Sequence, residues 1–315
     1  MINSIEKITR EGYEYKEDVP TFYMMIGLPA SGKSSISNRI SREEEAEICS
    51  SDKIREELFG DESVQGDNKV IFDIMGERTR ETLKNHRSVI YDATNLSSKR
   101  RISTINHVVG NIPCRKVAYV VLADFKECRR RNTERKRTVP DAVMDRMIKQ
   151  FNFPWWFEGW DEIVVERTDD KLYLMQDLLI PLMDMEHENP HHNQTIGEHL
   201  FTVAHSKEMN TPYLKNVALL HDVGKGYCKT FTDSKGNPTI DAHYYGHENV
   251  SAYMSLMVKD RLPLEKKARR AVLIQNHMAK LTRDEKGLKK LESQLGPSMF
   301  DMLSRLFKAD LERSN

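Results

Sequence analysis

Residues 27–35 read GLPASGKSS. They follow the apolar run TFYMMI (21–26) and lead into SSISNRISREEEAEI (34–48), whose apolar residues recur at helical spacing. Gly27 to Ser34 fit the pattern G-x-x-x-x-G-K-[ST], and a strand before with a helix after is the context that pattern needs. The glycines let backbone N–H groups wrap phosphate oxygens, and the N-terminus of the following helix adds its positive dipole end. Gly27, Gly32, Lys33, Ser34 and Ser35 are therefore the candidates for binding ATP or another nucleoside triphosphate. Lys33 would reach the β- and γ-phosphates, and Ser34 would hold Mg2+. The motif names a phosphate donor and is silent about the acceptor.

On both sides of this stretch the first half of the chain alternates short apolar runs with charged helical stretches. EICS (47–50), SVIYDAT (88–94), KVAYVVLAD (116–124) and DEIVVER (161–167) read as further strands, and NKVIFDIMGERTRETLKN and FKECRRRNTERK as helices. That alternation indicates βαβ units and a parallel sheet. Beyond about residue 171 the β-like runs stop. Six helical segments follow, at 171–185, 195–209, 211–221, 246–260, 264–278 and 297–312, and most of the histidines lie at or after position 187. The expected organisation is an α/β P-loop domain over 18–170 and an all-α bundle over 171–315. A chain of 315 residues fits two domains, since single cores stop growing near ~250–300 residues.

Lys+Arg and Asp+Glu are both 48, so net charge points to no polyanion, although a local basic groove can hide inside a neutral total. The four cysteines are scattered without a CxxC pair and read as reduced thiols. The N-terminal stretch MINSIEKITREGYEYKED has no apolar h-region, and no apolar run approaches the ~20 residues a membrane span needs. A soluble cytoplasmic protein with no membrane partner is expected.

The acceptor side rests on carboxylates and arginines at strand ends. Asp52, in CSSDKIRE, follows the EICS strand, where a carboxylate can take a proton from an attacking hydroxyl; Arg55, one helical turn on, can bind an anion. Asp92, Thr94 and Asn95 end the next strand, where ligands gather in open parallel sheets. CRRRNTERKRTVP (128–140) supplies Arg129, Arg130, Arg131, Arg135, Lys136 and Arg137, a composition suited to neutralising a transferred phosphoryl group. Trp155, Trp156 and Phe157 are candidates for base stacking or for packing. The order GLPASGKSS, SSDKIR, YDATNLSSKRR, RRRNTERKRTVP resembles the kinase domain of phage and bacterial polynucleotide 5′-kinases over about residues 20–167. The resemblance implies that Asp52 is the general base on a 5′-hydroxyl, that Arg55 grips the phosphate next to the acceptor nucleotide, and that Arg131 and Arg135 contact ATP. This chain departs from it in reading Asp92-Ala93-Thr94-Asn95, one residue longer than D-T-N, and in the SSD context of Asp52.

In the second half LLHDVGK (219–225) carries His221-Asp222 at the end of an apolar helix. Glu198-His199, His243, His247, His277 and Asp310 each fall on or beside another helix, so they can converge at one end of a bundle. Mixed imidazole and carboxylate ligation suits Mn2+, Fe2+, Ni2+ or Zn2+. The series EH…LLHDVGK…HYYGHE…NHM…KAD is similar to the HD phosphohydrolase superfamily over about residues 187–315. That resemblance makes His199, His221, Asp222 and Asp310 the core metal ligands. His247 and His277 match positions that serve a second metal or the substrate phosphate, and Lys225 becomes a phosphate contact. The pair His191-His192 either lines the pocket or caps the first helix of the series.

Together the two halves suggest repair of nucleic-acid ends, RNA before DNA. A 5′-kinase would phosphorylate one end, and a metal-dependent phosphohydrolase would remove a 3′-phosphate or open a 2′,3′-cyclic phosphate. A separate ligase is then a candidate partner. The rival readings are a nucleoside or nucleotide kinase joined to an HD nucleotidase or phosphodiesterase, a non-catalytic ATP sensor, and an HD phosphodiesterase regulated by ATP.

Overall fold

The computed structural model describes residues 5–14, 18–61, 66–135, 137–189 and 193–311. Two compact units emerge: Met1–Met147 with Pro154–Lys171, and Ile148–Phe153 with Leu172–Asn315. Lys136 and the His191-His192 pair lie outside the described residues.

The first unit runs β1 (Ile5–Thr9), β2 (Thr21–Ile26), α1 (Lys33–Glu43), β3 (Glu47–Ser50), α2 (Ser51–Phe59), α3 (Asn68–Lys84), β4 (Val89–Asp92), α4 (Ser98–Thr104), β5 (Arg115–Leu122), α5 (Phe125–Thr133), α6 (Asp141–Ile148, its last residue in the second unit) and β6 (Glu162–Arg167). The strands form one sheet in the order β1-β6-β5-β2-β4-β3. All neighbours are parallel except β1, which pairs antiparallel with β6. Every residue of β2 is buried, as expected for a central parallel strand covered on both faces. On one face Tyr23, Met25, Ile90, Val117 and Tyr119 pack with Ile36 and Ile40 of α1. Burying each such side chain is worth about 1.5–3 kcal/mol, which seats α1 and the loop before it on the sheet. Because β2 lies between β4 and β5, that loop sits where the order of connection reverses, the usual ligand crevice of such sheets.

A fully buried ion pair braces the loop after β4. Arg101 Nη2 and Glu158 Oε1 are 2.6 Å apart with both side chains at 0% exposure. Arg101 Nη1 also donates to the carbonyls of Asn95 (3.0 Å) and Leu96 (2.8 Å), and Trp160 Nε1 donates to Glu158 Oε2 at 2.9 Å. Trp155 is buried, which places its ring in the packing of this unit.

The second unit runs α7 (Met175–Leu179), α8 (Ile196–Ala204), α9 (Pro212–Leu220), α10 (Lys225–Cys228), β7 (Thr230–Thr232), β8 (Pro238–His243), α11 (His247–Leu256), α12 (Leu264–Gln275), α13 (Ala279–Thr282), α14 (Glu285–Leu295) and α15 (Pro297–Leu311). α9 is the hub, packed against α8, α11, α12 and α15. Pro212 starts it with a preset φ, Thr211 caps it by accepting from the Leu214 N–H, and Val217, Ala218 and Leu220 face inward. Arg270 of α12, fully buried, donates to Asn216 Oδ1 and Asp260 Oδ2, both at 2.6 Å.

Two expectations for this half are corrected. It is not all-α: β7 and β8 form an antiparallel hairpin. Thr230, Thr232, Thr239 and Ile240 favour extended backbone, and Asp233 closes the turn by accepting from the N–H groups of Lys235 and Asn237, with Gly236 at φ +88. The segment 171–185 is not one helix either. α7 ends at Leu179 and a short 3-10 turn follows, because Pro181 cannot donate the next helical hydrogen bond. Among the described residues no helix is long and apolar enough to cross a membrane.

Candidate active site and candidate metal centre

The phosphate loop is shaped by its backbone. Gly32 caps α1 at φ +97, a torsion that strains any residue with a side chain, and a Cβ there would also crowd Thr168 Cγ2 at 3.0 Å. Lys33 is buried, and its Nζ donates to the carbonyls of Gly27 (3.1 Å) and Leu28 (2.7 Å). Burial lowers its pKa against the pull of Asp92. Asp92 is itself buried at the end of β4, and burial pushes its carboxyl up. Ser34 and Ser35 begin α1 with exposed side chains.

The other candidates gather along the same sheet edge, after β3, β4, β5 and β6. Asp52 opens α2, and its Oδ1 accepts from Arg55 Nη1 at 2.9 Å and from Arg137 Nη1 at 2.8 Å. Arg131, on α5, donates from Nε to Glu127 at 2.7 Å, from Nη1 to Thr168 Oγ1 at 2.9 Å and from Nη2 to Thr168 O at 2.8 Å. Thr168 Oγ1 in turn donates to the carbonyl of Ser31 at 2.6 Å, so one hydroxyl ties α5 to the phosphate loop. Arg135 lies just past the end of α5, half-buried. Asn95 turns its amide nitrogen to the neighbouring strand. It is buried at φ 45, and its Nδ2 donates to Met25 O at 2.8 Å, bracing β4 against β2. Thr94 uses its carbonyl on the Gly27 N–H at 3.0 Å.

In the second unit His199, His221, Asp222, His247 and His277 are all buried, and Asp310 keeps 15% of its side chain exposed. His199 is presented from within α8, His221 and Asp222 directly after α9, His247 at the start of α11, His277 just after α12 and Asp310 near the end of α15. Two of the donor groups share Asp222, and a third brings His221 and His277 together with Asp310. Asp222 Oδ2 lies 3.6 Å from His199 Nε2 and 3.4 Å from His221 Nε2; its Oδ1 lies 3.0 Å from His247 Nε2 and 3.3 Å from His277 Nε2. Asp310 Oδ1 joins the first group, 3.0 Å from His199 Nε2 and 3.7 Å from His221 Nε2.

This donor set fits a divalent transition metal. The Nδ1 atoms of His221, His247 and His277 lie 2.6 to 2.7 Å from the carbonyls of Ala218, Tyr244 and Ile274. Donation of Nδ1–H to those carbonyls selects the tautomer whose Nε2 lone pair faces the centre. His247 Nε2 and His277 Nε2 are then 3.2 Å apart, an arrangement that two lone pairs tolerate only around a cation or a proton. Burial opposes protonation of His221, but Asp222 and Asp310 overcome it and raise the pKa to about 9. Asp222 stays well below the usual carboxylate range; burial opposes this, but Lys225 and His221 prevail. Lys225 Nζ sits 2.7 Å from Asp222 Oδ2 and 5.5 Å from the Tyr244 ring centroid. Gly224 is needed here because a Cβ would stand 2.4 Å from the His247 carbonyl oxygen. His243 is not among the clustered donors; its ring stacks on Tyr245 at 5.2 Å.

Residues 22–154 match the family model of an AAA domain. The match takes in the phosphate loop and the parallel strands β3, β4 and β5 of the first unit. Over 154 residues the chain is 29% identical to L-seryl-tRNA(Sec) kinase of Methanococcus maripaludis, covering 46% of this chain and 59% of that protein. The chain thus spans about three fifths of the length of this curated relative. Among solved structures, a gluconokinase from Sinorhizobium meliloti overlaps 49% of this chain and 86% of its own at 17% identity and a TM-score of 0.35. A Pnkp1/Rnl/Hen1 RNA repair complex overlaps 43% and 45% at 17% identity and a TM-score of 0.37.

Sequence reading missed four contributors. Arg137 is one of six basic residues that the sequence does not tell apart, and Thr168 lies just before the expected boundary at 170, where the end of a parallel strand is the available signal. Arg101 and Glu158 carried no signal, since nothing local says that either is buried.

Proposed function

We propose that the chain is a bifunctional nucleic-acid end-healing enzyme, acting on RNA before DNA. The observation that carries this reading is the coexistence in one chain of a P-loop with a carboxylate and arginines on its sheet edge and a six-residue imidazole–carboxylate cluster, buried except at Asp310. In the kinase reaction Asp52 takes the proton of a 5′-hydroxyl as its oxygen bonds to the γ-phosphorus of ATP and the bond to the β-phosphate oxygen breaks, releasing ADP. Lys33, Arg131 and Arg135 would neutralise the phosphates, Ser34 would hold Mg2+, Asp92 and Thr94 line the same edge, and Arg55 would bind the acceptor.

In the second unit His199, His221, Asp222 and Asp310 would hold one divalent ion, and Asp222, His247 and His277 a second. Such ions activate water near neutral pH and offset charge on a phosphoryl oxygen. The chain's own contribution is to fix the imidazole tautomers through backbone carbonyls and to exclude bulk water. Lys225 adds a cation for a terminal phosphate.

The test is incubation with ATP, Mg2+, Mn2+ and an oligonucleotide bearing 5′-OH and 3′-phosphate or 2′,3′-cyclic phosphate ends. Lys33→Ala should abolish only the 5′ reaction and His221→Ala only the 3′ reaction. Phosphorylation of free nucleosides with no change at either oligonucleotide end would overturn the reading. The similarity to L-seryl-tRNA(Sec) kinase supports a second acceptor, a hydroxyl presented on a tRNA. Seryl-tRNA offered against the oligonucleotide in the same assay separates the two.

A further inference from the structure

Among the basic residues at 129–137, Arg137 occupies a distinctive position. The loop that carries it is cinched at its base: Asn132 Nδ2 donates to Val139 O at 2.8 Å, and Asn132 Oδ1 accepts from Val139 N at 2.9 Å. Asn132 is buried, so this clip is part of the packed unit. From the clipped loop Arg137 Nη1 reaches Asp52 Oδ1 at 2.8 Å, the same oxygen that accepts from Arg55 Nη1 at 2.9 Å. Arg55 is oriented from its other side by Asn68 Oδ1, 2.9 Å from Nη2.

The charge balance of this trio is uneven. Two guanidinium groups with side chains 9% and 15% exposed converge on a single carboxylate that is 40% exposed. One positive charge is left over, at a point where the carboxylate itself opens to solvent. Burial depresses the pKa of Arg55, and the Arg137 charge adds to that depression while Asp52 opposes it. Two cations held this close are stabilised by a further anion. A phosphate, with several acceptor oxygens, matches paired guanidinium forks better than a carboxylate does. Both arginine contacts fall on Oδ1, so neither occupies Oδ2, the oxygen that would receive the hydroxyl proton.

We propose that Arg137 is a specificity-determining residue for the acceptor. Together with Arg55 it cradles the phosphate that the acceptor strand carries next to the reacting hydroxyl. The kinase thereby selects a nucleotide or strand over a bare nucleoside. This rests on the kinase reading above and extends it: the loop that follows Arg131 and Arg135, on the ATP side, delivers its last arginine to the acceptor side.

The experiment compares wild type, Arg137→Ala and Arg137→Lys in the full chain. The acceptors are a nucleoside, the same nucleoside 3′-monophosphate and a 5′-OH oligonucleotide. Calorimetry measures binding of the 3′-monophosphate and of a non-hydrolysable ATP analogue. Removing a charge-assisted contact should cut the preference for phosphate-bearing acceptors over the nucleoside by about 10- to 100-fold, through acceptor KM. Lysine should restore part of that preference, and affinity for the ATP analogue should be unchanged. An unchanged preference ratio, or a loss confined to ATP affinity, overturns the assignment. If wild type phosphorylates none of the three but binds the 3′-monophosphate through Arg137, the kinase reading fails and the anion cradle stands. If it neither phosphorylates nor binds them, both fail.

Discussion

In the first unit the candidate phosphate-binding residues fall in one stretch, 27–35, and their geometry comes from backbone torsions and a helix start. In the second unit the six clustered donors are spread from His199 to Asp310 and meet only because α8, α9, α11, α12 and α15 pack together. The first site has its cation, Lys33, resting on loop carbonyls, and its carboxylate, Asp52, held by arginines. The second gathers four buried imidazoles, the buried Asp222 and the partly exposed Asp310, with Lys225 as the neighbouring cation. A loop site survives modest changes elsewhere in its unit, whereas a site assembled from five helices depends on all of their packing.

That contrast can be broken at several points. The largest effect is expected from Asp222→Ala, which removes the carboxylate shared by two of the donor groups. Phosphohydrolase activity should fall by on the order of 10³-fold or more, and bound metal, read by elemental analysis, should be lost while kinase activity persists. Lys33→Ala should lower kinase activity by ~10²–10³-fold and leave metal content and 3′-end hydrolysis unchanged. Parallel loss of both activities in either variant would contradict the independence of the two units. Arg101→Ala leaves Glu158 as an uncompensated buried charge and should destabilise the first unit by about 3–5 kcal/mol. Trp155, Trp156 and Trp160 all lie in that unit, so tryptophan fluorescence during urea unfolding reads it selectively.

Gly224→Ala should cost about 1–3 kcal/mol in the second unit, because α11 must retreat from a new Cβ. The displacement of His247 should weaken metal binding in the same variant, measurable by chelator competition. The smallest effect concerns Glu127, whose carboxyl is held down at about 2 by hydrogen bonds from Arg130 and Arg131. Its folded pKa is depressed, so the stabilisation is present above the ordinary value of 4.5 and is lost as pH falls from there toward 2. The pair is partly exposed, so the loss should be about 0.2–1 kcal/mol, with Glu127→Gln flattening that part of the acid titration.

Much of the architecture was legible locally. GLPASGKSS between a strand and a helix announces its own conformation, and short continuous apolar runs such as TFYMMI, alternating with helix-length segments, read as strands buried on both faces. The clustered histidines were legible as residue types on successive helices. The β7–β8 hairpin was not, because its signal lies in the turn chemistry of Asp233 to Asn237 rather than in apolar alternation. Asn95 looked like a ligand residue because it stands at a strand end, yet its amide serves the neighbouring strand. Arg137 could not be told from its neighbours, since all are basic and the contact with Asp52 spans a long stretch of chain.

The sequence by itself determined the phosphate loop, the α/β character of the first unit and the identities of the imidazole and carboxylate donors. These depend on short-range torsional preference, hydrophobic period and residue chemistry. Tertiary structure alone decided that Asp222 offers one oxygen to each group of histidines, that Thr168 links α5 to the phosphate loop, and that Arg137 shares Asp52 with Arg55. Those are distances between residues remote in sequence, and only the packing of helices and strands sets them.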